Sequence, residues 1–136
     1  MHTSAALNQY KKMGAHVAAE TADPHQLIQM LLDGAVERIN AAKYHVQNKD
    51  IRQKGEMIGK AISILDGLKV SLDMEKGGEI AANLEALYDY MQRQLLLANV
   101  ENKIENLDEV ISLLNEIRMS WGQIPQDVRN NYKPQA

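Results

Sequence analysis

Apolar side chains recur at helical spacing in four stretches of the chain, separated by short polar turns. In the first stretch, Leu27, Leu31, Ala35, Ile39, Ala42 and Val46 form one stripe, widened by Ile28 and Leu32. Asp23 before it can cap the helix, Pro24 suits the first helical position, and Gln26 stands where a capping-box partner belongs. This predicts a helix over residues 24–47. Asn48-Lys49-Asp50 makes a turn in which Asp50 caps the second helix with Gln53 as its partner, and that helix should run to about residue 74. Its apolar arc is broad, passing from Ile62 and Ile58 through Leu65, Leu72 and Leu68 to Met57 and Ile64. Gly55, Gly59 and Gly67 each lower its intrinsic propensity by about 1 kcal/mol relative to Ala, so it depends on its neighbours.

Glu75-Lys76-Gly77-Gly78 reads as the clearest break, and a third helix is expected over residues 79–101. A turn at 102–106 leads to the fourth, with Asn106 as cap, Glu109 as its partner, and a stripe of Leu107, Val110, Leu114, Ile117 and Trp121, joined by Ile111. Gly122 and Pro125 close it. Four helices joined by short turns should alternate in direction, giving an all-α, antiparallel up-down four-helix bundle. Residues 23–124 would form that bundle in a single domain spanning 1–136. Residues 1–22 form a polar, Ala-rich lead with a weak helical pattern at Leu7, Tyr10, Met13 and Val17, and residues 125–136 form a tail.

The third helix carries more apolar surface than one buried face requires. Leu84, Leu87, Tyr88, Met91, Leu95 and Ala98 fall on one side and read as core. Tyr90 and Leu97 lie off that stripe, one heptad apart, and Leu96 and Val100 occupy the remaining flank. In a four-helix bundle this surplus needs a partner, a covering segment or a second layer. Met30 and Met57 are also off-centre on their helices, and Ile64 shares the edge of the arc with Met57. Methionine is adaptable and common on surfaces that receive helical peptides.

Composition narrows the chemistry. With no cysteine, disulfides, thiolate zinc sites, iron–sulfur clusters and Cys-x-x-Cys-His haem attachment are excluded. The 15 Lys and Arg against 18 Asp and Glu form no concentrated basic run, which argues against nucleic-acid binding. No signal core and no bilayer-length apolar segment is present, so stable membrane insertion is not expected and the cytoplasm is the expected compartment.

No catalytic constellation emerges. None of the four histidines (His2, His16, His25, His45) follows a glutamate by three residues or pairs with another at helical spacing, so the di-iron and zinc-protease patterns are missing. Asp108 and Glu109 complement a helix dipole without forming a site. Gly77-Gly78 lacks the spacing of a phosphate loop. Histidine phosphotransfer through His45 or His25 is a competing reading, because such domains are also four-helix bundles. Those domains carry a Lys and a Gly shortly after the histidine, whereas His45 is followed by VQNKDI and His25 by QLIQML. No catalytic residue, metal site or cofactor is expected, and the chain reads as a non-enzyme.

Tyr10, the element TADPHQLIQMLLDGAVERI (21–39), the element LYDYMQRQLLLAN (87–99) and Trp121 together resemble the flagellar secretion chaperones of the FliS type, which bind flagellin. The resemblance runs from about Tyr10 to Trp121. It implies a cytoplasmic, non-catalytic bundle that holds the C-terminal segment of flagellin unpolymerised until the type III export apparatus takes it, with an export-gate component as a further partner. It also implies an N-terminal covering segment that gives way to flagellin, in a free state that is monomer or weak homodimer. The flagellin-binding residues so implied or read from the pattern are Tyr10, Met30, Met57, Ile64, Tyr90, Leu97 and Asn99, with Tyr88 and Met91 supporting the fold and Arg93 also matching. One departure is Leu32-Asp33-Gly34, where many relatives have Tyr-Asp-Gly. A non-catalytic adaptor that dimerises through the third-helix surplus is the remaining alternative.

Overall fold

The computed structural model describes residues 23–123, in which four helices follow one another. They are α1 (Pro24–Gln47), α2 (Ile51–Val70), α3 (Met74–Glu101) and α4 (Ile104–Gly122). Tyr10, the expected covering segment and the tail lie outside the described residues.

Local chemistry sets most of the boundaries. Asp23 accepts from the Gln26 amide at 2.7 Å while the Gln26 side chain accepts from the Asp23 amide at 3.2 Å, so the capping box at α1 is complete. The Asn48 side chain donates to the Tyr44 carbonyl at 2.8 Å and closes its last turn. Asp50 caps α2 by accepting from the Gln53 amide at 3.2 Å. At the other end of α2, Ser71 Oγ donates to the Leu68 carbonyl at 2.7 Å. The helix therefore stops at Val70, four residues before the expected end, and Asp73 begins the next element by capping Lys76.

The break expected at 75–78 is a kink at Gly78 inside α3, preceded by one helical turn that starts at Met74. Gly78 has φ 51° and ψ −125°, outside the helical region and open to glycine far more than to other residues. At Gly77 an added Cβ would lie 2.7 Å from the Ala81 Cβ, so both glycines are needed for different reasons. At the start of α4 the sequence expectation needs correction. Asn106 is not the cap, because the chain turns in only two residues, with Asn102 left-handed at φ 56° and Lys103 extended. The Asn106 side chain instead donates to Gln94 Oε1 at 2.9 Å.

Side-chain pairs fix the topology. Asp33 meets Arg118 and Lys43 meets Asp108, so α1 and α4 run antiparallel. Lys54 reaches Asn99 while Lys69 reaches Asp89, which makes α2 and α3 antiparallel. Tyr90 with Glu109 and Gln94 with Asn106 do the same for α3 and α4. The helices pack in the ring order α1, α2, α3, α4 and back to α1, as an up-down bundle requires.

The core runs along the ring's axis and includes Leu31, Ile39, Ile58, Leu65, Met91, Leu95, Leu107 and Leu114, all essentially inaccessible. Leu84, Leu87, Ile111, Ile117 and Trp121, read from the sequence as inner positions, are half-buried and pack against this core from its margins. Among the described residues no helix is long and apolar enough to cross a membrane.

Candidate partner-binding surface

The two faces of α3 separate as its sequence pattern requires. Tyr88, Met91, Leu95 and Ala98 are buried, whereas Leu96, Leu97 and Val100 stand in water over its last two turns. Leu97 is 40% exposed and Val100 79%. Isolated exposed apolar residues are ordinary, but these three fall within five residues and make a strip linked by i, i+3 and i, i+4 spacing through Val100, with the half-buried Tyr90 two turns earlier than Leu97.

Tyr90 sits at the α4 edge of that strip. Its hydroxyl donates to Glu109 Oε1 at 2.8 Å, and the Arg93 guanidinium lies 6.0 Å from its ring centroid. The hydrogen bond to Glu109 raises the Tyr90 pKa, since losing the phenol proton would set two anions side by side. Tyr88, two residues earlier and buried, has its pKa pushed up to about 12 by desolvation. Neighbouring tyrosines thus divide their roles, with one in the core and one fixed at the rim.

The remaining sequence candidates are dispersed. Asn99 is half-buried and turned toward α2, where its carbonyl accepts from Lys54 Nζ at 2.8 Å. Met30 and Met57 are half-buried on the α1–α2 hairpin, across the ring from Tyr90 and Leu97. Ile64 requires correction: at 1% exposure it belongs to the core and is closed to a docking partner in this structure. The broad arc of α2 is buried because α2 packs on both α1 and α3, so its width does not signal an open face.

Three features had weaker sequence signals. Lys54 is only 5% exposed, although it occupies the apolar stripe that continues through Ile58, Ala61 and Leu65; a charge on such a stripe was the available clue. His25 stands seven residues before Leu32 and is 9% exposed. Its ring stacks on Trp121 with centroids 4.8 Å apart and planes 8° from parallel. Its Nε2 lies 2.9 Å from the Trp121 carbonyl, and Trp121 Nε1 donates to the His25 carbonyl at 2.9 Å. Finally, Ile111 and Met119 line a shallow groove on the outer face of α4, rimmed by Asp108 and Glu116. Their eight-residue separation is helical, but Met119 lies off the core stripe.

The described residues contain no cluster of three or more side chains placed to hold a metal ion. His25 is engaged with Trp121 through Nε2, and His45 is half-buried beside Asp50 at 3.8 Å.

The fold and this surface define a class: a four-helix bundle that presents exposed apolar side chains on an outer helix face, with polar pairs tying neighbouring helices together. A family model described as "Flagellar protein FliS" matches residues 6–128. The chain is 46% identical over 125 residues to the flagellar secretion chaperone FliS of Salmonella typhimurium, covering 91% of this chain and 93% of that protein. It is 43% identical over 124 residues to the FliS chaperone of Vibrio cholerae, covering 91% of each. It is 42% identical over 124 residues to the FliSB chaperone of Pseudomonas aeruginosa, covering 91% of this chain and 98% of that one. The chain belongs to the flagellar protein FliS family.

Proposed function

We propose that this chain is a cytoplasmic, non-catalytic flagellar secretion chaperone that binds the C-terminal segment of flagellin. Binding would keep that segment from polymerising and hold it ready for the export apparatus. The carrying observation is the exposed strip of Leu96, Leu97 and Val100 beside Tyr90 on α3. Membership of a family whose relatives bear the name flagellar secretion chaperone supports the same reading.

Magnitudes favour a wide surface over a pocket. Ordering a disordered segment costs roughly 2–5 kcal/mol or more, while each apolar side chain fully buried contributes about 1.5–3 kcal/mol. Several such contacts must therefore act together, along more than one helix. The α3 strip supplies some of them. The α4 groove, lined by Ile111 and Met119 among polar side chains, would give a further contact to a segment that wraps the bundle.

Isothermal titration of the full chain with the C-terminal segment of flagellin from its own organism tests the proposal. Stoichiometric binding with a negative heat-capacity change and gained helicity is expected. A folded chain that produces no heat with that segment would refute it.

A further inference from the structure

We infer that Lys54 is a positioning residue for client binding, pinning the two-residue α3–α4 turn and thereby setting the outer face of that hairpin. This rests on the chaperone reading above and names a determinant outside the client surface itself.

The position is costly for a lysine. Its stem lies on the core stripe of α2, and its ammonium is withdrawn from water at 5% exposure, where methionine or leucine would pack without desolvating a charge. What the ammonium does there is specific. It donates to the Asn99 carbonyl at 2.8 Å and to Asn102 Oδ1 at 2.7 Å. The first acceptor is one of the carbonyls left over where α3 ends, at the negative end of its dipole. The second belongs to the residue that makes the turn, held left-handed at φ 56° and ψ 37° without being glycine.

Only Asn102 and Lys103 separate α3 from α4, so a small rotation at Asn102 swings one helix against the other. Two further links sit along the same seam, from Gln94 to Asn106 and from Tyr90 to Glu109. Leu97 lies on α3 between those links and the pin, and Val100 lies between the two pinned residues, Asn99 and Asn102. A third helix therefore sets the geometry of the strip without touching its outer side. Lys54 itself is closed to a partner, so its effect on binding must pass through the turn.

A purely structural role and a positioning role give different outcomes. Lys54→Met keeps the stem and removes the donor; Asn102→Gly removes the acceptor side chain and relieves the left-handed backbone. The full chain and both variants are titrated with the C-terminal flagellin segment, with urea midpoints measured in parallel. The expected result is unchanged or raised midpoints together with client binding weakened by about fivefold to tenfold, as the fraction of molecules in the competent geometry falls. Wild-type-like binding by both variants would overturn the inference while leaving the chaperone reading intact. If Lys54→Met does not fold, Asn102→Gly alone decides between the same two results. Absence of binding by the wild-type chain would remove the chaperone reading and this inference together.

Discussion

Val100→Ala separates binding from folding more cleanly than any other change on α3. The side chain is 79% exposed, in the last turn of the helix before Asn102. Truncation removes two carbons worth about 1.6 kcal/mol when fully buried, at about 0.8 kcal/mol each. About four-fifths of that remains for a partner to cover, or roughly 1.3 kcal/mol, which corresponds to about an eightfold rise in Kd. Folding should change little in the opposite direction, because alanine is the better helix former by up to about 0.7 kcal/mol. Titration with the C-terminal flagellin segment, beside urea unfolding of both proteins, measures the two effects independently. An unchanged Kd for Val100→Ala and Leu97→Ala alike would show that this strip is not the client face. A fall in stability above about 1 kcal/mol would contradict its exposed placement on the helix.

Other substitutions probe neighbouring positions. Leu95→Ala, two residues before Leu97 but with no exposed surface, should cost about 2–5 kcal/mol in urea unfolding as a core truncation. Tyr90→Ala should weaken flagellin binding in the same titration, whereas Tyr90→Phe, which loses only the bond to Glu109, should retain most of it. Tyr88 should make the fold sensitive to alkali. Its folded pKa of about 12 lies above the unfolded value near 10, so its contribution is complete below pH 10 and is lost as pH rises toward 12. That loss amounts to about 2–3 kcal/mol, and urea midpoints across this range should fall less steeply in Tyr88→Phe. Gly78→Ala, at φ 51° and ψ −125°, should destabilise by about 1–3 kcal/mol through backbone strain, read from thermal unfolding.

The helices were legible where local chemistry decides them. Asp23-Pro24-His25-Gln26 and Asn48-Lys49-Asp50 hold all the information needed to start and stop α1, and its bounds agree with the expectation. The split of α3 into a buried stripe and an exposed strip follows from spacing alone, because one helix can turn only one face to the ring's axis. Start and stop signals misled where polar side chains had other partners. Asn106 reads as a cap but bonds to Gln94 across the seam, and the turn is tighter than its polar run implies. Ile64 reads as a flank residue because a single sequence cannot show that α2 has a neighbour on each side. Lys54 and His25 bond to residues 45 and 96 positions away, and no local pattern carries that information.

The clasp between His25 and Trp121 has a practical consequence. It holds the first turn of α1 against the last turn of α4, so the chain enters and leaves the described fold side by side. The α3–α4 turn, with Val100 beside it, lies at the opposite end, about 28 Å away along the 19 residues of α4. A fluorophore attached at either end of the described fold, at Asp23 or at Gln123, therefore crowds one pole of that fold and spares the other. The chain's single tryptophan sits at the crowded pole, where its emission can report the clasp opening while a client is presented to the far end.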